Sequence, residues 1–213
     1  MIIIGNKVDI NGKSYEYVKE LYIKLMEESL QLRNNIDDET NNNYIQKILD
    51  WIESTDFYEA PASTIYHESF KHGLLYHTLT VYNCMIDLIQ INKFKDNIDI
   101  SSATLCCLIH DWCKINLYKP SKRNVKNEET GKWEQIDSYK RNNFEHPFGH
   151  GTSSMFIAMK LFKLTEEEAL AIRWHMGMFN VSSNEVNEYQ QACEDYPLVH
   201  LLQFADQLSI VNY

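Results

Sequence analysis

This chain of 213 residues contains eight histidines, and four of them are candidates for functional imidazole groups. These four histidines and two aspartates lie on or at the end of predicted helices: His77, His110, Asp111, His150, His175 and Asp206. Imidazole and carboxylate groups gathered at one point form a donor set suited to Zn, Mn or Fe. The six residues are therefore the candidates for a metal centre.

The most telling position is Asp206, in the last predicted helix. Leu198, Leu202, Asp206 and Ile210 are spaced by four residues, which places the carboxylate on the apolar face of that helix. A buried carboxylate without a partner is very costly, so we expect a cation or a metal beside Asp206. Two alternatives remain open, because Asp206 could instead cap a turn or pair with Arg173.

The dipeptide His110-Asp111 directly follows the apolar run of residues 105–109. The helix that contains this run is apolar on most sides, which predicts a central position in the fold. Lys114 comes three residues after Asp111, so one helical turn places the two on the same face. Lys114 could bind a substrate phosphate there, or it could be a solvated lysine at a helix end. Each histidine, taken alone, is also compatible with an ordinary, partly buried residue.

Most of the chain must be helical to position these residues. Helices are predicted where apolar residues recur at a period near 3.6, in the segments 14–33, 44–52, 74–92, 101–114 and 151–162. Two further helices begin at Thr165, where Thr165 and Glu168 form a capping-box pattern, and at Pro197. The segments Asn34–Asn43 and Asn180–Asn187 predict loops.

The segment 118–146 has a different character. Residues 121–127 and 133–140 are compatible with strands, and they flank a turn-like stretch that contains Gly131. Within the segment, residues 118–141 carry seven basic and four acidic side chains, a net charge of +3. The sequence therefore predicts a single all-α domain with a basic β-hairpin insert.

The overall charge of −10 disfavours a nucleic acid or an anionic membrane as the partner of the whole surface. No apolar run approaches the roughly 20 residues that span a bilayer, and the short apolar start lacks the basic flank of a signal peptide. The five cysteines are odd in number and show no CxxC spacing. We therefore expect a cytoplasmic protein with reduced thiols.

The short sequence motifs around the candidate ligands resemble those of the HD-domain superfamily of metal-dependent phosphohydrolases. The family pattern H…HD…D corresponds to His77, His110-Asp111 and Asp206. Residues 73–79, GLLYHTL, resemble the family's GGLLxHTL, and residues 108–115, LIHDWCKI, resemble its LxHDxxK(I). The chain departs from the pattern at His72, which replaces the first glycine, and at Cys113, which replaces the glycine before Lys114.

This resemblance implies an HD-domain helical bundle over residues 57–213, with the insert at 118–146 and with residues 1–56 forming N-terminal helices that pack on it. It also implies a dinuclear centre of two divalent ions, which would be Fe, Mn, Zn, Co or Ni. The first ion would be bound by His77, His110, Asp111 and Asp206. Asp111 would bridge to a second ion bound by His150 and His175. His146 remains an alternative to His150.

The function implied is a phosphohydrolase that cleaves a phosphoester or phosphoanhydride of a small anionic substrate, such as a nucleotide, through a metal-activated water. Asp111 and Lys114 would be the catalytic residues. Substrate binding would fall to Lys122, Arg123, Lys126 and His67. Two other functions remain open: a mixed-valent di-iron oxygenase of the same superfamily, or a non-catalytic nucleotide-binding module.

Overall fold

The computed structural model of the chain describes residues 2–33, 38–91, 97–143, 146–179 and 181–211. In these ranges the chain is mostly helical with a two-stranded antiparallel sheet, which confirms the prediction of an all-α fold with a β-hairpin. The helices are α1 (Tyr15–Arg33), α2 (Asp38–Glu53), α3 (Gly73–Ile89), α4 (Ile100–Ile109), α5 (His150–Met159), α6 (Glu166–Trp174), α7 (Val186–Asp195) and α8 (Pro197–Val211). The strands are β1 (Tyr118–Lys126) and β2 (Trp133–Arg141).

A buried apolar cluster joins the helices, with α3 packed on α8, α1 on α4, and α6 on both α5 and α8. Tyr22 of α1 is fully buried, and its hydroxyl donates to the carbonyl of Leu108 at 3.2 Å. The indole of Trp112 donates to the same hydroxyl at 3.4 Å. These bonds fasten α1 to the end of α4, just beside His110 and Asp111. None of the helices in the described ranges combines the length and the apolar character that a bilayer crossing needs.

The end of α4 differs from the sequence prediction of one helix over 101–114. The α-helix stops at Ile109, Asp111 adopts φ −106° and ψ 17°, and a tight 3₁₀ turn covers Trp112–Lys114. A 3₁₀ turn rises more steeply than an α-helix and often ends one. The break takes Asp111 out of the regular helix at the point where it meets the other candidate ligands.

Two loop predictions are partly wrong. Residues 38–43 of the predicted connector belong to α2, whose buried face of Ile45, Ile48 and Ile52 stabilises the helix despite its asparagines. Residues 34–37 lie outside the described residues. The loop predicted for 180–187 ends earlier, because α7 begins at Val186, and Asn180 lies outside the described residues. No helix was predicted over α7, which is largely polar.

The hairpin and the capping box agree with the sequence. Strand β1 begins three residues before the predicted start, and its first residue Tyr118 pairs with Arg141 at the end of β2. At α6 the Thr165 side chain accepts from the backbone of Glu168, and the Glu168 side chain accepts from the backbone of Thr165. Glu168 is fully buried and also pairs with Arg33, so it ties α6 to the end of α1.

Candidate metal centre

Five helices bring the sequence-predicted ligand residues towards one point. His77 lies in α3 and Asp206 in α8, and His77 Nε2 is 3.2 Å from Asp206 Oδ1. His110 caps the C-terminus of α4, His150 is the first residue of α5, and His175 caps the C-terminus of α6. Three of the positions are helix ends, so the convergence depends on where these helices stop or start.

Asp111 lies at the centre of the cluster, and its two carboxylate oxygens face different histidines. Oδ2 is 3.3 Å from His77 Nε2 and 3.5 Å from His110 Nε2. Oδ1 is 2.8 Å from His150 Nε2 and 3.8 Å from His175 Nε2. A carboxylate placed in this way can bridge two cations, with one oxygen directed at each.

Backbone carbonyls fix the orientation of two of the imidazoles. The Nδ1 of His110 lies 2.7 Å from the carbonyl of Cys107, and the Nδ1 of His175 lies 2.7 Å from the carbonyl of Ile172. A carbonyl only accepts, so each Nδ1 carries the proton and each Nε2 presents a lone pair. Both Nε2 atoms are buried without a hydrogen-bond partner among the described residues. Such an atom is costly to bury, so this arrangement favours a ligand for each Nε2.

The spacing of the donor atoms fits coordination of a metal ion. Atoms bound to one ion at about 2.1 Å lie roughly 3.0–3.5 Å apart in octahedral or tetrahedral geometry. The distances of 3.2 Å, 3.3 Å and 3.5 Å among His77, His110, Asp111 and Asp206 lie in or near that range. Three overlapping groups in the described part of the chain could hold an ion: His67-Glu68-His77, His77-His110-Asp111 and Asp111-Cys113-His150.

His77 has support on the side away from Asp111. Its Nδ1 is 3.4 Å from the hydroxyl of Ser209 and 3.8 Å from Oε2 of the buried Glu68. A carboxylate or hydroxyl behind a ligating imidazole fixes the ring and raises its basicity. The sequence analysis did not single out Glu68 or Ser209, because neither stands at a revealing distance from the HD motif along the chain.

Two glycines permit the close approach of the elements that hold the cluster. A Cβ on Gly73 would lie 1.9 Å from the carbonyl oxygen of Glu68, so a side chain there would displace the start of α3. A Cβ on Gly151 would lie 2.1 Å from the carbonyl oxygen of Arg173. The start of α5 therefore packs directly on the end of α6, with the rings of His150 and His175 5.1 Å apart. These close approaches explain in physical terms why glycine stands at positions 73 and 151.

The pKa values of His77 and His150 are raised. Burial alone would lower the pKa of His77, but hydrogen bonds to Asp111 and Asp206 outweigh it and raise the pKa to about 9. Burial opposes charge on His150 as well, and interactions with Cys113 and Asp111 raise its pKa to about 10. In the metal-free protein both imidazoles are therefore protonated on both nitrogens and positively charged at neutral pH.

The other groups of the cluster shift in the opposite direction. Burial, together with repulsion from His110 and His150, lowers the pKa of His175 to about 3. Burial also lowers the pKa of His110. Burial would raise the pKa of Asp111, but Lys114 and the surrounding histidines hold it well below its usual range. His110, His175 and Asp111 are thus in the protonation states that bind metals, whereas His77 and His150 must each lose a proton first.

Lys114 contacts the cluster directly. Its Nζ is 2.6 Å from Asp111 Oδ2, and its side chain is almost fully buried. Burial would lower the pKa of Lys114, but Asp111 raises it above its ordinary value, so the ammonium stays charged. The three-residue spacing does place Lys114 beside Asp111, although through a 3₁₀ turn rather than an α-helix. Its expected role in binding phosphate stays a prediction.

A cavity of about 810 Å³ opens above the cluster. Its lining includes the candidate ligands His77, Asp111, His150 and Asp206, with Lys114 beside them. His110 and His175 are fully buried behind this surface. The volume is ample for a nucleotide-sized ligand. The cavity therefore gives a substrate access to the carboxylates and to two of the four histidines.

No protein-family model matches the chain, and no curated protein or solved structure shows significant similarity to it.

The hairpin residues predicted to grip the substrate do not reach the cavity. Lys122, Arg123 and Lys126 are exposed and are not part of its lining. The antiparallel strands carry them away from the base of the hairpin, where Tyr118 and Arg141 line the cavity instead. A third cation at the cavity, Lys160, comes from the residue after α5. Sequence patterns do not indicate Arg141 and Lys160, because neither belongs to a motif and only the fold brings them to the cavity.

The structure also gives the positions of three other residues that the sequence raised as candidates or alternatives, which are His67, His146 and Arg173. His67 lines the cavity with its ring 5.0 Å from the ring of His77, and burial lowers its pKa to about 4. His146 also lines the cavity but packs beside Phe156, at 5.2 Å between rings, so His150 is the histidine that contacts Asp111. Arg173 pairs with Glu185 and Glu188 instead of with Asp206, which removes one alternative for Asp206.

Proposed function

We propose that this chain is a metal-dependent phosphohydrolase of the HD superfamily, acting on a small phosphate-bearing substrate such as a nucleotide. Two divalent ions would be held by His77, His110, Asp111 and Asp206 on one side, and by Asp111, His150 and His175 on the other. Both the motif resemblance and the geometry of the cluster support this assignment.

One observation carries the proposal. The two oxygens of Asp111 face two separate groups of imidazoles, at 2.8–3.8 Å, and two of those imidazoles have buried Nε2 atoms without a hydrogen-bond partner in the described part of the chain. Ion pairs alone do not explain these two atoms, because His110 and His175 are neutral and Asp111 has no proton to donate. Two cations bridged by Asp111 would give each lone pair a partner.

Bound divalent ions would supply an activated water and a Lewis acid for a phosphoryl oxygen. The chain supplies the rest of the chemistry. Lys114, charged and buried beside Asp111, is positioned to donate a hydrogen bond to a phosphoryl oxygen in the cavity. His67 is neutral at pH 7, so it can orient a water or a leaving oxygen without adding charge.

The cavity wall favours an anion with an apolar part. Arg141 and Lys160 line the cavity together with Lys114, so positive groups reach from its base to more exposed positions. Tyr66 and Phe179 also line it and are largely exposed, at 76% and 66%. Exposed aromatic rings beside a cationic wall suit a nucleobase attached to a phosphate, because bases stack on aromatic faces.

The proposal is tested by hydrolysis of a nucleotide panel by protein loaded with Mn, Fe, Co, Ni or Zn. We expect release of phosphate or nucleoside, and loss of at least ~1000-fold of the rate in Asp111→Asn, which removes the bridging charge. Asp87→Asn, at a surface ion pair with Lys7, is the matched control and should retain the activity. No cleavage of any phosphoester with any of these metals would contradict the proposal.

The two other functions leave different results in the same samples. An oxygenase would show tightly bound iron and substrate-dependent oxygen uptake. A non-catalytic module would bind a nucleotide tightly without turnover. Either result would replace the hydrolase proposal while leaving the geometry of the cluster unchanged.

A further inference from the structure

Cys113 has surroundings unlike those of the other cysteines. It lies in the 3₁₀ turn after Asp111, and its backbone N–H donates to the hydroxyl of Ser154 in α5 at 3.0 Å. Its sulfur is 3.2 Å from Nδ1 and 3.7 Å from Nε2 of His150. Of the other cysteines, Cys84, Cys106 and Cys107 are buried, and Cys193 in α7 is partly buried.

The sulfur belongs to a cluster of three donors. One ligand atom from each of Asp111, Cys113 and His150 lies within 4.8 Å of the other two. A sulfur and a nitrogen bound to one ion, at about 2.3 Å and 2.1 Å, lie roughly 3.1–3.6 Å apart. The distance of 3.7 Å between Cys113 Sγ and His150 Nε2 is close to that range.

A second observation points to a ligand at the same place. His175 Nε2 is fully buried, has no hydrogen-bond partner among the described residues, and lies 3.8 Å from the Asp111 oxygen that also faces His150. A lone pair held in this orientation can be donated to a cation, whereas it forms no bond with a hydrogen-bond acceptor. The lone pair of His175 Nε2 therefore lies beside the same carboxylate oxygen as His150, and His150 is the ring that the sulfur of Cys113 contacts.

We propose that Cys113 Sγ is a ligand of the ion held on the His150 side of the centre, completing a set of two imidazoles, one carboxylate oxygen and one sulfur. The inference rests on the proposed function only in requiring that the centre binds metal. When the metal–sulfur bond forms, the S–H bond breaks and its proton passes to water, with no change in oxidation state.

This ligand makes the two ion positions chemically different. The His77 side offers only nitrogen and oxygen, whereas the His150 side adds a soft donor. Thiolate favours Zn, Fe or Co over Mg, Mn or Ca, which prefer oxygen ligands. We therefore expect the His150 side to select a softer ion than the His77 side, so that a centre with two different metals is the stable form.

The test is a cobalt titration of the metal-free protein, followed by absorption. Cobalt bound to a thiolate gives a strong sulfur-to-cobalt charge-transfer band in the near ultraviolet, in addition to weaker ligand-field bands in the visible. We expect both sets of bands in the wild type and in Cys193→Ser. In Cys113→Ser we expect the visible bands to remain at saturating cobalt while the charge-transfer band is lost.

The serine variant also separates a ligand from an orienting group. A serine hydroxyl can still form a hydrogen bond with His150 Nδ1. If Cys113 only orients His150, the cobalt affinity of Cys113→Ser should therefore fall by no more than the ~10–100-fold that an outer hydrogen bond is worth. A ligand role predicts a larger loss at the His150 side only. As a readout that needs no variant at position 113, zinc should protect one thiol of the wild type from a thiol reagent, and that thiol should be Cys113.

Three outcomes decide the matter. The charge-transfer band with zinc protection of Cys113 supports the assignment. Visible cobalt bands without a charge-transfer band in the wild type overturn it, while the metal centre of the proposed function stands. Absence of any cobalt, zinc or iron binding overturns both.

Discussion

The ammonium of Lys114 lies 2.6 Å from Oδ2 of Asp111, the same oxygen that faces His77 and His110. In the metal-free protein this lysine, together with the protonated His77 and His150, supplies the positive charge that a buried carboxylate requires. A metal at that oxygen would take over the role and release Lys114 for an incoming anion. If the proposed function is correct, this contact would link metal binding to substrate binding through one side chain.

Lys114→Met should lower the stability of the metal-free protein against unfolding far more than that of the metal-loaded protein. Removing one partner of a buried pair costs about 3–5 kcal/mol, and bound zinc should recover much of this by neutralising Asp111. The measurement is thermal unfolding of both proteins with and without zinc, with the exposed Lys47→Met as control. An equal stabilisation by zinc in the wild type and in Lys114→Met would count against a shared role.

The base of the hairpin, and not its middle, should matter for the substrate. Arg141→Ala and Lys160→Ala should raise KM by about 10-fold each with little change in kcat, because each removes a cation from the cavity wall. Arg123→Ala removes an exposed cation outside the cavity and should leave KM within twofold. The reverse ranking in steady-state kinetics would restore the role that the sequence predicted for Lys122, Arg123 and Lys126.

Metal binding should release protons near neutral pH. His77 and His150, with pKa values of about 9 and about 10, must lose their protons before their Nε2 atoms can bind an ion. Apparent affinity should therefore rise between pH 7 and pH 9, and calorimetry in buffers of different ionisation enthalpy should count the released protons. An affinity that does not change over this range would show that the two imidazoles are already neutral.

The same shifts affect the stability of the metal-free protein. A pKa raised from about 6.5 in the unfolded chain to about 9 at His77 stabilises the fold fully below pH 6.5. This contribution is lost as pH rises towards and past 9, because the folded form then loses its proton too. Urea unfolding of the metal-free protein should show a lower free energy of unfolding at pH 10 than at pH 7.

The contact between α5 and α6 should tolerate no side chain at residue 151. Gly151→Ala would push a methyl group against the carbonyl of Arg173 and separate His150 from His175. We expect a loss of about 1–3 kcal/mol in stability and of the ion on the His150 side, measured by unfolding and by elemental analysis. Thr152→Ala, in the same turn of α5, is the control. Full metal content in Gly151→Ala would mean that the helices can shift without harm.

Glu168 should be structural and not catalytic. Its fully buried carboxylate joins Arg33 of α1 and Ser102 of α4 to the start of α6. Glu168→Gln should lower the free energy of unfolding by about 3–5 kcal/mol, since it leaves Arg33 poorly paired. Glu53→Gln, at an exposed pair with Lys19, should cost less than about 1 kcal/mol. Hydrolysis rates per folded molecule should be unchanged in both variants.

Local sequence patterns predicted the hairpin, the capping box and every described helix except α7, since these depend on local patterns of apolar, turn and capping residues. The six candidate ligands were also visible in sequence, because His110-Asp111 follows an apolar run and Asp206 interrupts an apolar face. What they do with one another was not visible. The helix breaks at Asp111, whose two oxygens face different pairs of histidines, and α5 packs against the 3₁₀ turn that follows.

The residues around the ligands were harder to predict for the same reason. Glu68 and Ser209 support His77 from segments far apart in sequence, and Arg141 reaches the cavity only because β2 returns to the base of the hairpin. Lys122 and Arg123 were chosen from a local charge pattern, which carries no information on where a strand leads. Contacts that depend on long-range topology require the structure.

The central claim is best tested by restoring metal to the stripped protein while phosphate release from nucleotides is followed. We predict no hydrolysis in the stripped protein and a rate that rises with added metal, saturating near about two equivalents per chain. Hydrolysis that does not depend on metal, or a metal-loaded protein that cleaves no phosphoester, would contradict the account.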